Sequence, residues 1–231
     1  RGRPTVNAQW NNPSSVLVGD FIYSRAFQVL VKIGDMRIME IMADTTNKIA
    51  EGEVLQLISK SNPNSTEELY MQVIQNKTAI LFEAAAKSGA MLSGADQKSV
   101  SAMAEFGLQL GLAFQLIDDA LDYIGDADEL GKNVGDDLAE GKSTLPLIYT
   151  MAHGSSADRN LIQQSLRAES LTQQQLQEVI ALVKNSGALE YTQELASTKT
   201  TAAVKALEAL PNSEYKTALK DLVEFSLNRK T

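Results

Sequence analysis

Cysteine is absent from the 231 residues, and histidine occurs once. Without cysteine there is no disulfide scaffold, no thiolate-ligated zinc or iron–sulfur centre and no thiol nucleophile. A single histidine excludes a multi-histidine metal centre and argues against a Ser/His/Asp relay. Positive charge is also scarce: 21 Lys+Arg stand against 29 Asp+Glu, a net charge of −8. The chain therefore lacks the basic balance that duplex binding requires, and no nucleic-acid partner is expected. No uninterrupted apolar run reaches the ~18 residues of a membrane span, so no transmembrane segment is expected either. The remaining class is a soluble, cytoplasmic protein whose chemistry rests on carboxylates, lysines and hard metal ions. Its apolar share of 44% is enough for a substantial core.

Proline is sparse as well, at positions 4, 13, 63, 146 and 211. An internal proline costs a helix about 3 kcal/mol, so the long proline-free stretches suit an all-helical chain. Apolar residues recur at spacings of three and four rather than alternating. Ser14 or Ser15 caps a helix over 16–33 that Gly34 stops, and a second runs over 35–58. The run Ser65-Thr66-Glu67-Glu68 opens a third that lasts to about Lys87. Asp96 caps a fourth that continues to about Tyr123. Residues 125–143 carry no apolar period. Further helices are read over 144–153, 157–168, 173–185 with a Thr172–Gln175 capping box, 188–209 and 214–229. The short connections imply antiparallel neighbours in one all-α domain, residues 1–231. Met36, Met39 and Met42 form a helical stripe expected in the core, with a tunnel wall or subunit interface as the alternative. His153 is expected to serve a helix C-terminus, while Trp10 and Tyr70 default to packing. The opening Arg1-Gly2-Arg3-Pro4 has neither an initiator Met nor a signal-peptide apolar region, and reads as the middle of something longer.

The segment Phe114-Gln115-Leu116-Ile117-Asp118-Asp119-Ala120-Leu121-Asp122 is the most informative. At about 100° per residue, with Asp118 at zero, Asp122 falls at about 40°, Gln115 at about 60° and Asp119 at about 100°. Four polar side chains thus share one stripe of an otherwise apolar helix. Three crowded carboxylates repel one another unless cations lie between them. An oxygen-only donor set suits Mg²⁺, which keeps few protein ligands and shares itself with substrate phosphates. The bland alternative is a solvated acidic face. Carboxylates near a helix C-terminus oppose the macrodipole, however, and the flanking Leu116, Ile117, Ala120 and Leu121 indicate burial on most sides. Lys132 and Lys142 follow in glycine-rich stretches, where the backbone can approach a ligand and lysine can meet phosphate oxygens. Neither stretch has the spacing of a Walker A loop.

These residues carry a family resemblance. FQLIDDALDY followed by GKNVGDDLAEGKSTLPL resembles the second aspartate-rich motif and succeeding loop of the trans-type polyprenyl (isoprenyl) diphosphate synthases. The likeness extends to Arg1–Thr5, Val18–Phe21, Glu51–Glu53, Lys77-Thr78 and Leu81-Phe82, and is nearest to long-chain bacterial members that make octaprenyl diphosphate for quinone side chains. It implies a single large helical bundle with a central cavity, of the isoprenoid synthase type, and a homodimer paired through the helices of residues 16–58. It also implies a Mg²⁺-dependent chain-elongating prenyltransferase that condenses isopentenyl diphosphate with an allylic diphosphate such as farnesyl. Asp118, Asp119 and Asp122 match metal-binding aspartates. Lys77, Lys132 and Lys142 match allylic-diphosphate contacts, Thr78 and Gln115 positions beside the reacting carbons, and Arg1 the arginine that binds isopentenyl diphosphate. Glu53 and Gln56 match positions near the metal that vary among relatives. The family's first aspartate-rich motif precedes the Arg-Gly stretch and does not occur in this sequence. The expectation is therefore a fragment lacking its N-terminal helices, with about 90 residues before Arg1. The competing expectation is a non-catalytic or regulatory subunit of the same fold.

Overall fold

The computed structural model describes residues 3–124 and 134–229. Among these, all regular structure is helical and no strand occurs. By packing, the chain divides into two compact units, residues 1–44 and 45–231.

The first unit holds α1 (Val6–Gln9), α2 (Asn12–Ile33) and the start of α3 (Met36–Ser59). Asn11, rather than Ser14 or Ser15, caps α2: its side chain accepts the Ser14 N–H at 2.8 Å, and Pro13 occupies the first turn, where its missing N–H costs nothing. Gly34 ends α2 as expected, in the left-handed region at φ 76°. Asp35 then pairs with Arg37 at 2.6 Å, and that guanidinium holds the Asp35 carboxyl down at about 2. The methionine stripe departs from a core assignment: Met36 is exposed, and Met39 and Met42 are only half-buried.

In the second unit α3 is followed by α4 (Glu67–Ile74), a π-turn (Gln75–Ala79), α5 (Ile80–Leu92) and α6 (Gln97–Ile124). Thr66 caps α4 by accepting the Leu69 N–H at 3.2 Å. Where periodicity reads one helix from 65 to 87, the chain makes two, joined by the π-turn, and runs on to Leu92. A wide turn is one residue out of phase, and apolar spacing does not reveal it. Asp96 caps α6 as expected, accepting the Ser99 N–H at 2.8 Å.

Residues 134–143 are more ordered than their composition suggests. Gly135 adopts φ 85° and Gly141 φ 73°, conformations that favour glycine, and between them lies the one-turn α7 (Asp136–Ala139). The Gly141 carbonyl accepts the Ser61 N–H at 2.8 Å, tying this segment to the end of α3. Then come α8 (Leu145–His153), α9 (Ser156–Arg167), α10 (Gln173–Asn185), α11 (Ala188–Ala206) with a 3₁₀ turn at Leu207–Ala209, and α12 (Glu214–Asn228). The Thr172–Gln175 capping box forms in full. His153 contacts the Tyr149 carbonyl through Nδ1 at 2.9 Å and stacks on the Tyr149 ring, serving the end of α8.

The second unit is organised around α6. Three apolar clusters lie along it: one uses its Phe106 and Leu110, the next Leu112, Leu116 and Ile117, the last Ala120 and Tyr123. A helix surrounded in this way is apolar on most sides. That is why, among the described residues, α6 alone is long and apolar enough to cross a membrane, a property the sequence reading missed by counting uninterrupted runs. Here half of that apolar stretch is buried, with α6 packed against α5, α11 and their neighbours. Gly107 and Gly111 allow α5 to approach: a Cβ on Gly107 would strike the Phe82 carbonyl, and one on Gly111 would lie 2.6 Å from Ala79 Cα.

Candidate active site

The aspartates sit in the last third of α6, and each takes a separate partner. Asp119 is buried, with 3% exposure. Its Oδ1 accepts Gln115 Nε2 at 2.8 Å and its Oδ2 accepts the Tyr70 hydroxyl at 2.6 Å. Gln115 Oε1 in turn accepts the Thr78 hydroxyl at 3.1 Å. Thr78, Gln115 and Asp119 therefore form one directed chain of hydrogen bonds between the π-turn and α6.

Among the described residues, only neutral donors touch the Asp119 carboxyl. Burial, followed by the negative charge of Asp137, pushes its pKa up to about 8, and the bonds from Tyr70 and Gln115 offset this only in part. Burial and the neighbouring Asp119 charge likewise push the Tyr70 phenol well above its usual range.

Asp118 pairs with Arg229, at 3.4 Å, just beyond the end of α12. The Arg229 side chain is 6% exposed, bonds the Phe114 carbonyl at 2.9 Å and lies 3.9 Å over the Phe114 ring, whereas Asp118 retains 41% exposure. Because Arg229 lies so far along the chain, helical periodicity contains no trace of this pairing. Asp122 accepts backbone N–H groups of the following segment, Gly135 on its carbonyl at 2.9 Å and Asp137 on Oδ2 at 3.2 Å. Among the described residues no three His, Cys, Asp or Glu side chains converge on a point where they alone would hold a metal ion. The expected Asp118–Asp119–Asp122 set is thus not drawn together into a cage.

The lysines are held by acidic partners. Lys77, on the π-turn, donates to Gln56 Oε1 at 2.6 Å and pairs with Glu53 at 3.2 Å, so two residues matched by resemblance to positions near the metal instead steady a lysine. Gly52 lets α3 approach closely here, since a Cβ would fall 2.8 Å from the Lys77 amide nitrogen. Lys142 bridges Asp137 at 3.0 Å and Glu140 at 2.8 Å. Burial alone would lower its pKa, but the bonds and charges of Glu140 and Asp137 prevail and push it up. Lys132 and Arg1 lie outside the described residues. Sequence reasoning missed Tyr70, Asp137 and Arg229. Only Asp137 left a signal, as part of the Asp136-Asp137 pair inside the motif already singled out.

Comparison with known proteins shows the family. The polyprenyl synthetase family model matches residues 1–183. The chain is 46% identical to octaprenyl diphosphate synthase of Haemophilus influenzae, over 99% of this chain and 69% of that protein. It is 48% identical to the geranyl-diphosphate-specific all-trans-nonaprenyl-diphosphate synthase of Rhodobacter capsulatus, over 99% of this chain and 70% of that one. A crystal structure of polyprenyl synthase from Caulobacter crescentus, complexed with calcium and isoprenyl diphosphate, superposes with a TM-score of 0.93 at 40% identity, covering 97% of this chain and 69% of that one. The α6 aspartates, the lysines around them and these matches agree: the chain belongs to the polyprenyl synthetase family of prenyltransferases.

Proposed function

We propose that this prenyltransferase elongates an allylic diphosphate with isopentenyl diphosphate to an all-trans product of octaprenyl length, the precursor of a quinone side chain. The single observation that carries the reading is the hydrogen-bonded array Thr78–Gln115–Asp119 beside Lys77, with Lys142 and Asp137 on the segment after α6. In the proposed reaction the allylic C–O bond breaks and its electron pair leaves with the diphosphate. The double bond of isopentenyl diphosphate attacks the allylic cation, and the proton then lost passes to the released pyrophosphate. No nucleophilic side chain is required, because stabilisation of the leaving group lowers the barrier.

The residues fit Mg²⁺. Among the described residues Asp119 is a buried carboxylate facing a second carboxylate and met only by neutral donors, an arrangement that a hard cation would compensate. Asp118 and Asp122, with oxygen donors alone, complete a set that suits an ion shared with phosphate rather than caged. When bound, the ion neutralises charge developing on the diphosphate. Lys77 and Lys142, pre-oriented by Glu53, Gln56, Asp137 and Glu140, meet phosphate oxygens. Lys132 and Arg1 are assigned the allylic and isopentenyl diphosphates through the resemblance. The same resemblance assigns Thr78 and Gln115 positions beside the reacting carbons.

Radiolabelled isopentenyl diphosphate with farnesyl diphosphate and Mg²⁺ tests the reading. With the chain extended by a segment carrying the family's first aspartate-rich motif, a Mg²⁺-dependent product of eight isoprene units is expected; no product overturns the function, and nine units overturns the length. Lys142→Ala should raise KM for the allylic substrate about 10- to 100-fold, the weight of a charged hydrogen bond of about 1.5–3 kcal/mol. A change below twofold would remove Lys142 from the site.

The reading includes a soluble cytoplasmic homodimer. Leu17, Phe21 and Ile22 on α2 are exposed, an apolar surface that supports pairing. Sedimentation at micromolar concentration should give twice the chain mass, and a monomer would contradict it.

A further inference from the structure

Tyr70 is fully buried among Ile74, Ala79, Leu116 and Ile117, a position that packing alone would fill with phenylalanine. Yet its hydroxyl makes a 2.6 Å bond to a buried carboxylate. Burying a polar group with no role in packing is costly unless its hydrogen bond is made, so the pair Tyr70–Asp119 stands or falls together.

The π-turn explains how this partner arrives. In an unbroken α-helix, the eight steps from Tyr70 to Thr78 would turn the two side chains about 80° apart. A π-turn acts as one inserted residue and brings them within about 20° of each other. Both then face α6, Tyr70 on Asp119 and Thr78 on Gln115, one helical turn apart. The same interrupted helix thus grips two polar positions of α6, Gln115 and Asp119. With Oδ1 engaged by Gln115 and Oδ2 by Tyr70, the plane of the Asp119 carboxylate is fixed from both sides.

We propose that Tyr70 is a positioning residue for this site: its phenol fixes the Asp119 carboxylate so that the lone pairs not engaged by Tyr70 and Gln115 are presented to a hydrated divalent cation shared with a diphosphate. The inference rests on the metal–diphosphate reading of the site given above. Partners that orient a metal ligand typically contribute 10- to 100-fold in affinity or activity when lost.

Calorimetric titration of Mg²⁺ with inorganic pyrophosphate into the wild-type protein and Tyr70→Phe tests it without turnover. The variant should bind about tenfold more weakly. In the synthase assay its half-saturating Mg²⁺ should rise about tenfold, with KM for isopentenyl diphosphate unchanged and most of kcat restored at saturating Mg²⁺. A purely structural defect would not be rescued by metal. Replacing Tyr70 by p-aminophenylalanine keeps the ring and a donor, and should return both readouts to within about threefold of wild type. Failure of the wild type to bind Mg²⁺ and pyrophosphate overturns the site reading and this inference with it. Equal binding by wild type and Tyr70→Phe, or no recovery with the donor restored, overturns the inference alone.

Discussion

Asp119→Ala is expected to lower kcat about 1,000-fold, a barrier increase of about 4 kcal/mol, while leaving a folded protein. Three facts set the size of the effect. The carboxylate is buried, so no water replaces the lost ligand at low cost. It also organises its surroundings: Tyr70 and Gln115 both donate to it, and Gln115 holds Thr78. Among the described residues no cation stands beside it, so in the proposed site a bound metal would compensate its charge. A loss below tenfold would mean that Asp119 is not central.

The conservative change separates activity from stability. Asp119→Asn removes the charge and keeps the shape: its Oδ1 still accepts Gln115, while its Nδ2 donates where Oδ2 accepted, so the bond to the Tyr70 hydroxyl reverses. In the metal-free protein Asp119 titrates at about 8, above the ordinary value of 3.8. Between those values the native state holds one proton more than the unfolded chain. Wild-type stability in chelator should therefore be greatest, as far as this group contributes, below about pH 4, fall as pH rises through that window, and level off above about pH 8. The asparagine variant lacks this loss. It should be inactive, yet gain in stability relative to wild type as pH rises from 6 to 9, the trade-off of a site built for function rather than stability. Urea unfolding at the two pH values in chelator measures it, and parallel curves would contradict the buried, uncompensated carboxylate.

Gly111→Val should have a large effect on folding. A Cβ at 111 would lie 2.6 Å from Ala79 Cα, 3.0 Å from Ala79 Cβ and 3.2 Å from Phe82 Cβ, all on or beside the π-turn and α5. Backbone cannot yield as a flexible side-chain end can, so α5 and α6 must separate. Overpacking of this kind costs about 3 kcal/mol, which in a chain of this size lowers Tm by about 6–12 °C. Separation would also break the Thr78–Gln115 bond, so activity should fall even at temperatures where the variant is folded. Gly89→Ala on α5 is the control: nothing lies within 4 Å of its Cβ, and the change should be neutral or stabilising by about 0.5–1 kcal/mol. A Gly111→Val melting point within about 2 °C of wild type would show that the helices are not locked at this crossing.

Local signals in the sequence determined the helical class, most helix ends and the chemistry of the α6 stripe. Each of these is written within a few residues. Asp96 caps α6 through the residue three positions on, Gly34 ends α2 by its own φ, and the shared face of Gln115, Asp118, Asp119 and Asp122 follows from helical pitch alone. The family motif lay in the same stretch, so the reaction class was legible there too. The tertiary structure decided what each of those polar groups meets. Tyr70 reaches Asp119 across 49 positions and Arg229 reaches Asp118 across 111, distances over which periodicity carries no information. The π-turn at Gln75–Ala79 lay beyond sequence reasoning for a related reason. Its apolar spacing still suits an ordinary helix, and the extra residue in the turn shows its consequence only when Tyr70 and Thr78 come to face α6 together. Which aspartate is buried and which remains open to solvent likewise depends on the helices that pack around α6. Burial and long-range hydrogen bonding are properties of the assembled chain, and they place three identical side chains in three different surroundings.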